Sequence, residues 1–466
     1  MPRAASNLLR VQALPHEGGD SMNPAIVIPT YWAADPTDSG VYDHATAVDE
    51  PLPELARCLD SLDDVRGVIR VIVLLVARPG VEDAARARVN AIVRDHEGLN
   101  PLVIGTAEAR LIEGCIENAI PALDGETVAL RGYGAIRNMG LAACAMLGHD
   151  VCVFMDDDEV ALGPDYLVDA VYGLGQLTRQ DLKILAKTGH FIDANGSHLA
   201  DVSKPKLWER WWSKRREFNE WMEPALEGVR IRRSNYACGG CMAIHAAAFA
   251  RVPFDPAITR GEDLDYLLNL RLCGLEMWFD RSWYVRHLPP KTPDDPNRFL
   301  QDIFRWFYER AKLGFCSRQP SLSHVSAESL MPYPGKWLSP ELDARVAHTS
   351  FARAVLGPNR GSYLRIWQSG RSEARTYAMA NASSYTRLLN FWPSVIDELW
   401  DSEELAARVV ACSRASRAGK AARGGGDGRP AAPVSPRDGA SQPAPARGTA
   451  KQPAPAGAAQ TKGEGA

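Results

Sequence analysis

Apolar residues along this chain form two alternating kinds of run. One kind is short, nearly unbroken and rich in β-branched residues: Ala25–Ile28, Val68–Val76, Leu102–Ile104 and Val151–Met155. Such runs predict strands covered on both faces, as in a mostly parallel sheet. The other kind shows helical spacing, as in Leu52, Leu55, Cys58, Leu59 and Leu62, and again across Val81–His96. Helix then strand, repeated, predicts an α/β fold whose ligands bind at the carboxyl edge of the sheet. Further strands are predicted at Lys183–Thr188 and Gly239–Ile244, and a helix over Leu264–Cys273. Beyond Pro290 only amphipathic helical spacing remains, in Asn297–Leu313, Pro340–Leu356 and Ser372–Arg414. The expected layout is an α/β domain over 24–290 and a helical C-terminal extension over 291–412. Residues 1–23 and the Ala/Pro/Gly-rich tail, 413–466, are expected to be disordered, having too few large apolar residues to offset chain entropy.

Composition narrows the choices. The chain has 466 residues, 45% of them hydrophobic, which is enough for a large core. With 53 Lys+Arg against 57 Asp+Glu, the overall balance points to neither nucleic acid nor a membrane surface. Nine cysteines, an odd number without a secretory signal, imply reduced thiols and a cytoplasmic home. Cys238 and Cys241 have no second pair at ligand spacing, so they do not make a zinc site. No run of 18 apolar residues is present, so the protein is expected to be soluble or attached only at the membrane periphery. A P-loop and a Gly-x-Gly-x-x-Gly fingerprint are both missing, which argues against an ATPase and a dehydrogenase.

Candidate chemistry centres on Val151–Glu159, where a buried strand runs into Asp156, Asp157, Asp158 and Glu159. Crowded carboxylates either form a solvated turn or surround a hard cation such as Mg²⁺ or Mn²⁺. Just upstream, Gly132–Leu141 contains Ala135-Ile136-Arg137-Asn138-Met139-Gly140 and leads into an Ala-rich helical segment, Leu141–Gly148. Loop, helix, buried strand and acids in this order resemble the GT-A glycosyltransferases, especially the family-2-like enzymes. There an Ala-Arg-Asn-x-Gly helix precedes a strand ending in Asp-x-Asp; here one residue is inserted in the first motif. The resemblance covers about Ala25 to Pro290.

It implies a GT-A, Rossmann-like fold and transfer of a sugar from a nucleotide diphosphate-sugar donor to a hydroxyl acceptor, with Mg²⁺ or Mn²⁺. Pro29, Thr30 and Tyr31 then become candidates for the nucleotide base, although Pro29 also reads as strand-end punctuation. Arg137 and Asn138 are implied near the nucleotide or phosphates, and Asp156 and Asp157 near ribose and diphosphate. Gly239 and Gly240, which permit close approach of a ligand to the backbone, are implied beneath the donor sugar. Asp156, Asp158 and His287 form the implied metal set; without the resemblance, a lone His after a strand such as His287 reads more readily as a structural residue. Glu262 and Asp263 open a helix whose positive end favours anions, and the resemblance makes them the acceptor-side pair, with Asp263 as base if the enzyme inverts. If it retains, Asp263 orients substrates. One departure concerns the nucleotide: Ala77-Arg78-Pro79-Gly80 stands where many relatives carry an acidic pair. Four tryptophans in Leu207–Trp221 fit either a sugar-facing lid or core packing. Two rival readings are a sugar-nucleotide nucleotidyltransferase, which should carry a basic Gly-rich loop where Pro29–Pro36 stands, and a non-catalytic sugar- or protein-binding relative, which should lack the acids. Donor, acceptor and oligomeric state do not follow from spacing.

Overall fold

Ten strands form one sheet among the residues described by the computed structural model, which are 22–38, 40, 42–290 and 296–418. They are β1 (Pro24–Ala33), β2 (Thr46–Ala47), β3 (Val71–Ala77), β4 (Leu102–Ile104), β5 (Val151–Phe154), β6 (Glu159–Ala161), β7 (Ala186–Ile192), β8 (Ile231–Arg233), β9 (Met242–His245) and β10 (Met277–His287). Their order is β4-β3-β1-β5-β9-β7-β10-β6, with β2 beside β1 and β8 beside β10. The first half is parallel throughout, β1 pairing with β2, β3 and β5, and β3 with β4. Antiparallel β9 then joins β5 to β7, and β10 runs parallel to β7. Helices cover both faces, so β1, β3 and β5 are buried almost end to end, as their apolar runs require. The result is a mixed, mostly parallel GT-A-type sheet.

Several boundaries differ from the sequence expectation. The strand expected at Lys183–Thr188 occupies Ala186–Ile192: Lys183 and Ile184 pair instead with the preceding turn, at Leu177 and Gln176, and the sheet register begins where Ala186 meets Ile244. The segment Gly132–Leu141 is not a loop: a helix runs from Tyr133 to Met146 with nearly every residue buried. The strand expected from Gly239 begins only at Met242, the two glycines lying in the preceding turn. In Leu207–Trp221, core packing prevails. Trp208, Trp212 and Trp221 are buried, and Trp212 packs edge-on against Phe299 and Trp337 at 4.8 and 4.6 Å between ring centres.

The C-terminal helices share the core of the α/β part. One hydrophobic cluster includes Ala25, Phe154 and Ile244 from strands together with Trp306, Trp337, Trp392 and Val409. Polar ends of buried aromatics fasten the two parts: Trp392 Nε1 donates to the Phe249 carbonyl (2.6 Å) and Tyr385 Oη to that of Pro253 (3.1 Å). The last helix, Glu403–Arg417, passes the boundary expected at 413; Ser413 is buried and its Oγ accepts from the Val103 N–H of β4. Residues 1–21 and 419–466, which include most of both expected disordered segments, lie outside the described residues.

At the centre of this junction is Lys312, fully buried on the helix Pro296–Cys316. Its ammonium donates to Asp255 Oδ2 (2.9 Å), to Asn269 Oδ1 (2.9 Å) and to Asp265, the last two on the helix that begins with Glu262. Tyr308 Oη donates to the same Asp255 oxygen at 2.6 Å. Burial lowers a lysine's pKa, yet the two carboxylates outweigh it here and raise Lys312. Removing one partner of such a node leaves uncompensated charge in the core. Lys312→Met is expected to lower unfolding free energy by about 3–5 kcal/mol, read from urea denaturation; an unchanged midpoint would show that the node contributes nothing.

Candidate active site

Strands β1 and β5 lie side by side at the centre of the sheet, and their carboxyl ends deliver Thr30–Tyr31 and the acidic turn to one edge. Thr30 is buried, and its hydroxyl accepts from Trp32 Nε1 at 2.9 Å. Pro29 is also buried within β1, while Tyr31 is half-buried and lies against the ring of Tyr42, 4.1 Å between centres. In the turn, Asp156 is half-buried, whereas Asp157, Asp158 and Glu159 are almost wholly enclosed. Burial drives the Asp157 carboxyl well above the usual range, and the neighbouring Asp158 adds to this. Burial does the same to Glu159, with Asp156 adding to it. The turn is therefore short of positive charge.

Two histidines face Asp158. His287 arrives because β10 and β6 pair antiparallel with His287 opposite Glu159. Its Nε2 lies 3.2 Å from Asp158 Oδ2, and the Leu288 N–H donates to the Asp158 carbonyl. Burial alone would raise Asp158 and lower His287; their shared bond reverses both, holding Asp158 below its ordinary value and pushing His287 up to about 9. The second, His44, lies in the loop between β1 and β2, with Nε2 3.7 Å from the same oxygen. That nitrogen is buried and makes no hydrogen bond. Nothing in the sequence around Tyr42-Asp43-His44 resembles a motif, so spacing did not reveal it. Its loop is fixed by Asp43, which accepts from Arg260 Nη2 at 2.7 Å and pairs with Arg298. Arg260 belongs to the turn that leads into Glu262.

A single guanidinium connects the two acidic segments. Arg137, 5% exposed, donates from Nη2 to Asp156 Oδ1 (2.8 Å) and from Nε to Glu262 Oε1 (3.1 Å). Its plane lies over Phe154, 4.9 Å from the ring centre, and its Nη1 is buried without a partner. Burial pushes Glu262 up to about 7 although Arg137 opposes this. Asp263, next along, is half-buried; its Oδ1 accepts the Leu264 N–H at 2.7 Å, and no other hydrogen bond reaches its carboxylate among the described residues.

Asn138 and the two glycines serve this arrangement from within. Asn138 is fully enclosed, donating to the Thr127 and Phe254 carbonyls and accepting the Phe254 N–H. It clamps two loops to the helix and faces no open space. A Cβ on Gly239 would stand 2.7 Å from Arg137 Nη2, and one on Gly240 only 2.0 Å from Glu159 Oε2. The close approach that these glycines permit is thus made by the protein's own side chains.

The implied metal set is only partly assembled. Asp158 and His287 meet, whereas Asp156 is turned toward Arg137, and Asp156, Asp158 and His287 do not bring three ligand atoms within 4.8 Å of one another. Among the described residues a group that does so is Asp60, Asp63 and His96, where His96 already bonds Asp63 at 2.8 Å. The donor chemistry near Asp158 nonetheless fits a divalent cation: hard carboxylate oxygens in excess of cationic groups, and an orphaned imidazole nitrogen aimed at them.

No protein-family model matches the chain, and no curated protein matches it. Among solved structures it is similar to a mannosyltransferase from Pyrobaculum calidifontis in complex with GDP-Man and Mn2+, at 12% identity and a TM-score of 0.39, covering 83% of this chain and 86% of that one. It is also similar to a mycobacterial protein, at 15% identity, TM-score 0.32, and 61% and 74% coverage. A third similarity is to GalNAc-T7 with UDP, GalNAc and Mn2+, at 13% identity, TM-score 0.37, and 73% and 59% coverage. At such scores these likenesses carry no conclusion about chemistry. Its own strand order, with the acidic turn closing β5, is that of a mixed, mostly parallel GT-A α/β fold.

Proposed function

We propose that this protein is a metal-dependent glycosyltransferase of the hexosyltransferase type, moving a sugar from a nucleotide diphosphate-sugar donor to a hydroxyl acceptor. The observation that carries this reading is the Arg137 guanidinium, held between Asp156 on the donor-side turn and Glu262 on the acceptor-side helix. One rigid side chain then sets the distance between the two halves of a transfer site. Its free Nη1 supplies a charged donor for a phosphate or ribose oxygen. Asp158 and His287, joined by His44, would hold the cation, with Asp156 at its margin. When bound there, Mg²⁺ or Mn²⁺ neutralises the departing diphosphate. Asp263, with a carboxylate oxygen free, accepts the acceptor hydroxyl's proton as the new C–O bond forms in an inverting reaction. Tyr31 and Tyr42 offer aromatic faces at the end of β1, where the base would lie.

The direct test is nucleoside diphosphate release from UDP-, GDP- and dTDP-sugars with Mg²⁺ or Mn²⁺. Release from one donor, dependent on metal and reduced at least about a hundredfold by Asp158→Ala, is the expected outcome. Pyrophosphate as product would point to the nucleotidyltransferase, and absence of both turnover and donor binding to a non-catalytic protein. Manganese binding followed by calorimetry tests His44 separately: His44→Ala is expected to weaken it by about tenfold or more, and equal affinity would remove His44 from the ligand set. The pH profile tests the bridge. Glu262 is charged above about 7 and protonates below it, so the bond to Arg137 weakens as pH falls through 7. Activity is expected to drop on that acid limb, and Glu262→Gln, uncharged throughout, to lose the limb while running at a lower plateau; an unchanged limb would assign it to another group.

A further inference from the structure

The helix Leu342–Leu356 and the turns that follow it, Arg360–Arg365 and Ile366–Gly370, form a hairpin on the C-terminal part. Its outer face is apolar: Phe351, Val355, Leu356, Leu364 and Trp367 are 36–55% exposed. Phe351 and Val355 are one turn apart, Leu364 and Trp367 likewise, and the rings of Phe351 and Trp367 lie 5.6 Å apart across the hairpin, so these side chains share one surface. The charge of this segment is as one-sided as its hydropathy. Between Asp343 and Glu373 there are five arginines and no Asp or Glu; Arg345 pairs with Glu217 and Arg353 lies over Trp208 and Phe299, so the charge this segment offers outward is that of Arg360 and Arg365. Arg360 and Arg365 are exposed and have no ion-pair partner among the described residues.

We propose that this hairpin docks the protein on an anionic phospholipid surface. Exposed Trp and Phe at the level of lipid headgroups, with arginines beside them to meet phosphate, is the composition of an interfacial membrane contact. A second copy of the chain is a poorer occupant, because a two-fold contact would set each arginine-rich face against another of the same sign. A nucleic acid would use the arginines but leave the exposed aliphatic residues unpartnered. No helix among the described residues is long and apolar enough to cross a membrane. The inference is independent of the transferase reading, as none of its residues belongs to the candidate active site.

The experiment is sedimentation of the full-length protein with vesicles of phosphatidylcholine alone and of equal parts phosphatidylcholine and phosphatidylglycerol. Binding is expected only to the anionic vesicles. Arg360→Ser with Arg365→Ser is expected to weaken it by about thirtyfold, roughly fivefold for each basic residue at the surface. Phe351→Ser with Trp367→Ser is expected to abolish it in a protein that stays folded at the assay temperature by circular dichroism, since both rings are partly exposed. Failure to bind anionic vesicles, or equal binding by both variants, would overturn the proposal. So would a dimer in sedimentation velocity that the same substitutions dissociate.

Discussion

The constraint on which the site depends is the cost of four consecutive acids at the end of a buried strand. Carboxylates so enclosed cannot all be charged without cations nearby. The protein answers on two sides. Arg137 takes Asp156 and Glu262, and His287, with His44 behind it, takes Asp158. Among the described residues Asp157 and Glu159 form no ion pair, and burial pushes both toward the neutral form, although His287 opposes this at Glu159. Because each of these partners is itself anchored by a strand register, a helix or a neighbouring ion pair, the acidic turn specifies the position of elements that are distant along the chain. A divalent ion would complete the same balance of charge.

This accounts for the role of the C-terminal helices. They do not form an appendage; they brace the helix that opens with Glu262 and Asp263. Glu262 and Asp263 begin a helix whose further turn, through Asp265 and Asn269, is tied to Lys312 on the helix Pro296–Cys316. Asp255, in the loop that Asn138 also clamps through Phe254, completes that node. The position of Glu262 and Asp263 relative to the acidic turn is thus held from both ends, by Arg137 within the site and by Lys312 behind it. The outward face of the same helical region is free to carry the apolar, arginine-rich hairpin.

The α/β class, the central strands and the acidic turn were legible in the sequence because burial on both faces leaves nearly continuous apolar runs, and a break into acids is conspicuous against them. Arg137, Asp156, Asp158, Glu262, Asp263 and His287 could be singled out as candidates because each lies in a short contiguous motif in or beside a predicted element. What such motifs could not show was which partner each residue finds. Asn138 belongs to the same motif as Arg137, yet one helical position turns it inward to backbone groups. Gly239 and Gly240 were read as places where a ligand approaches the backbone; the groups that approach them in the fold are Arg137 and Glu159, which come from elsewhere in the chain. The tryptophans of Leu207–Trp221 had two readings until the extension was folded against them.

By itself, then, the sequence determined the local order of strands and helices, the chemistry available at the sheet edge and the apolar supply of the core, all properties carried by neighbouring residues. Only the tertiary structure decided that Arg137 bridges two acids 106 positions apart, that His44 joins His287 at Asp158, and that the C-terminal helices share the core. These are contacts between distant segments, selected by the pairing of strands and the compensation of buried charge, and no local pattern encodes them.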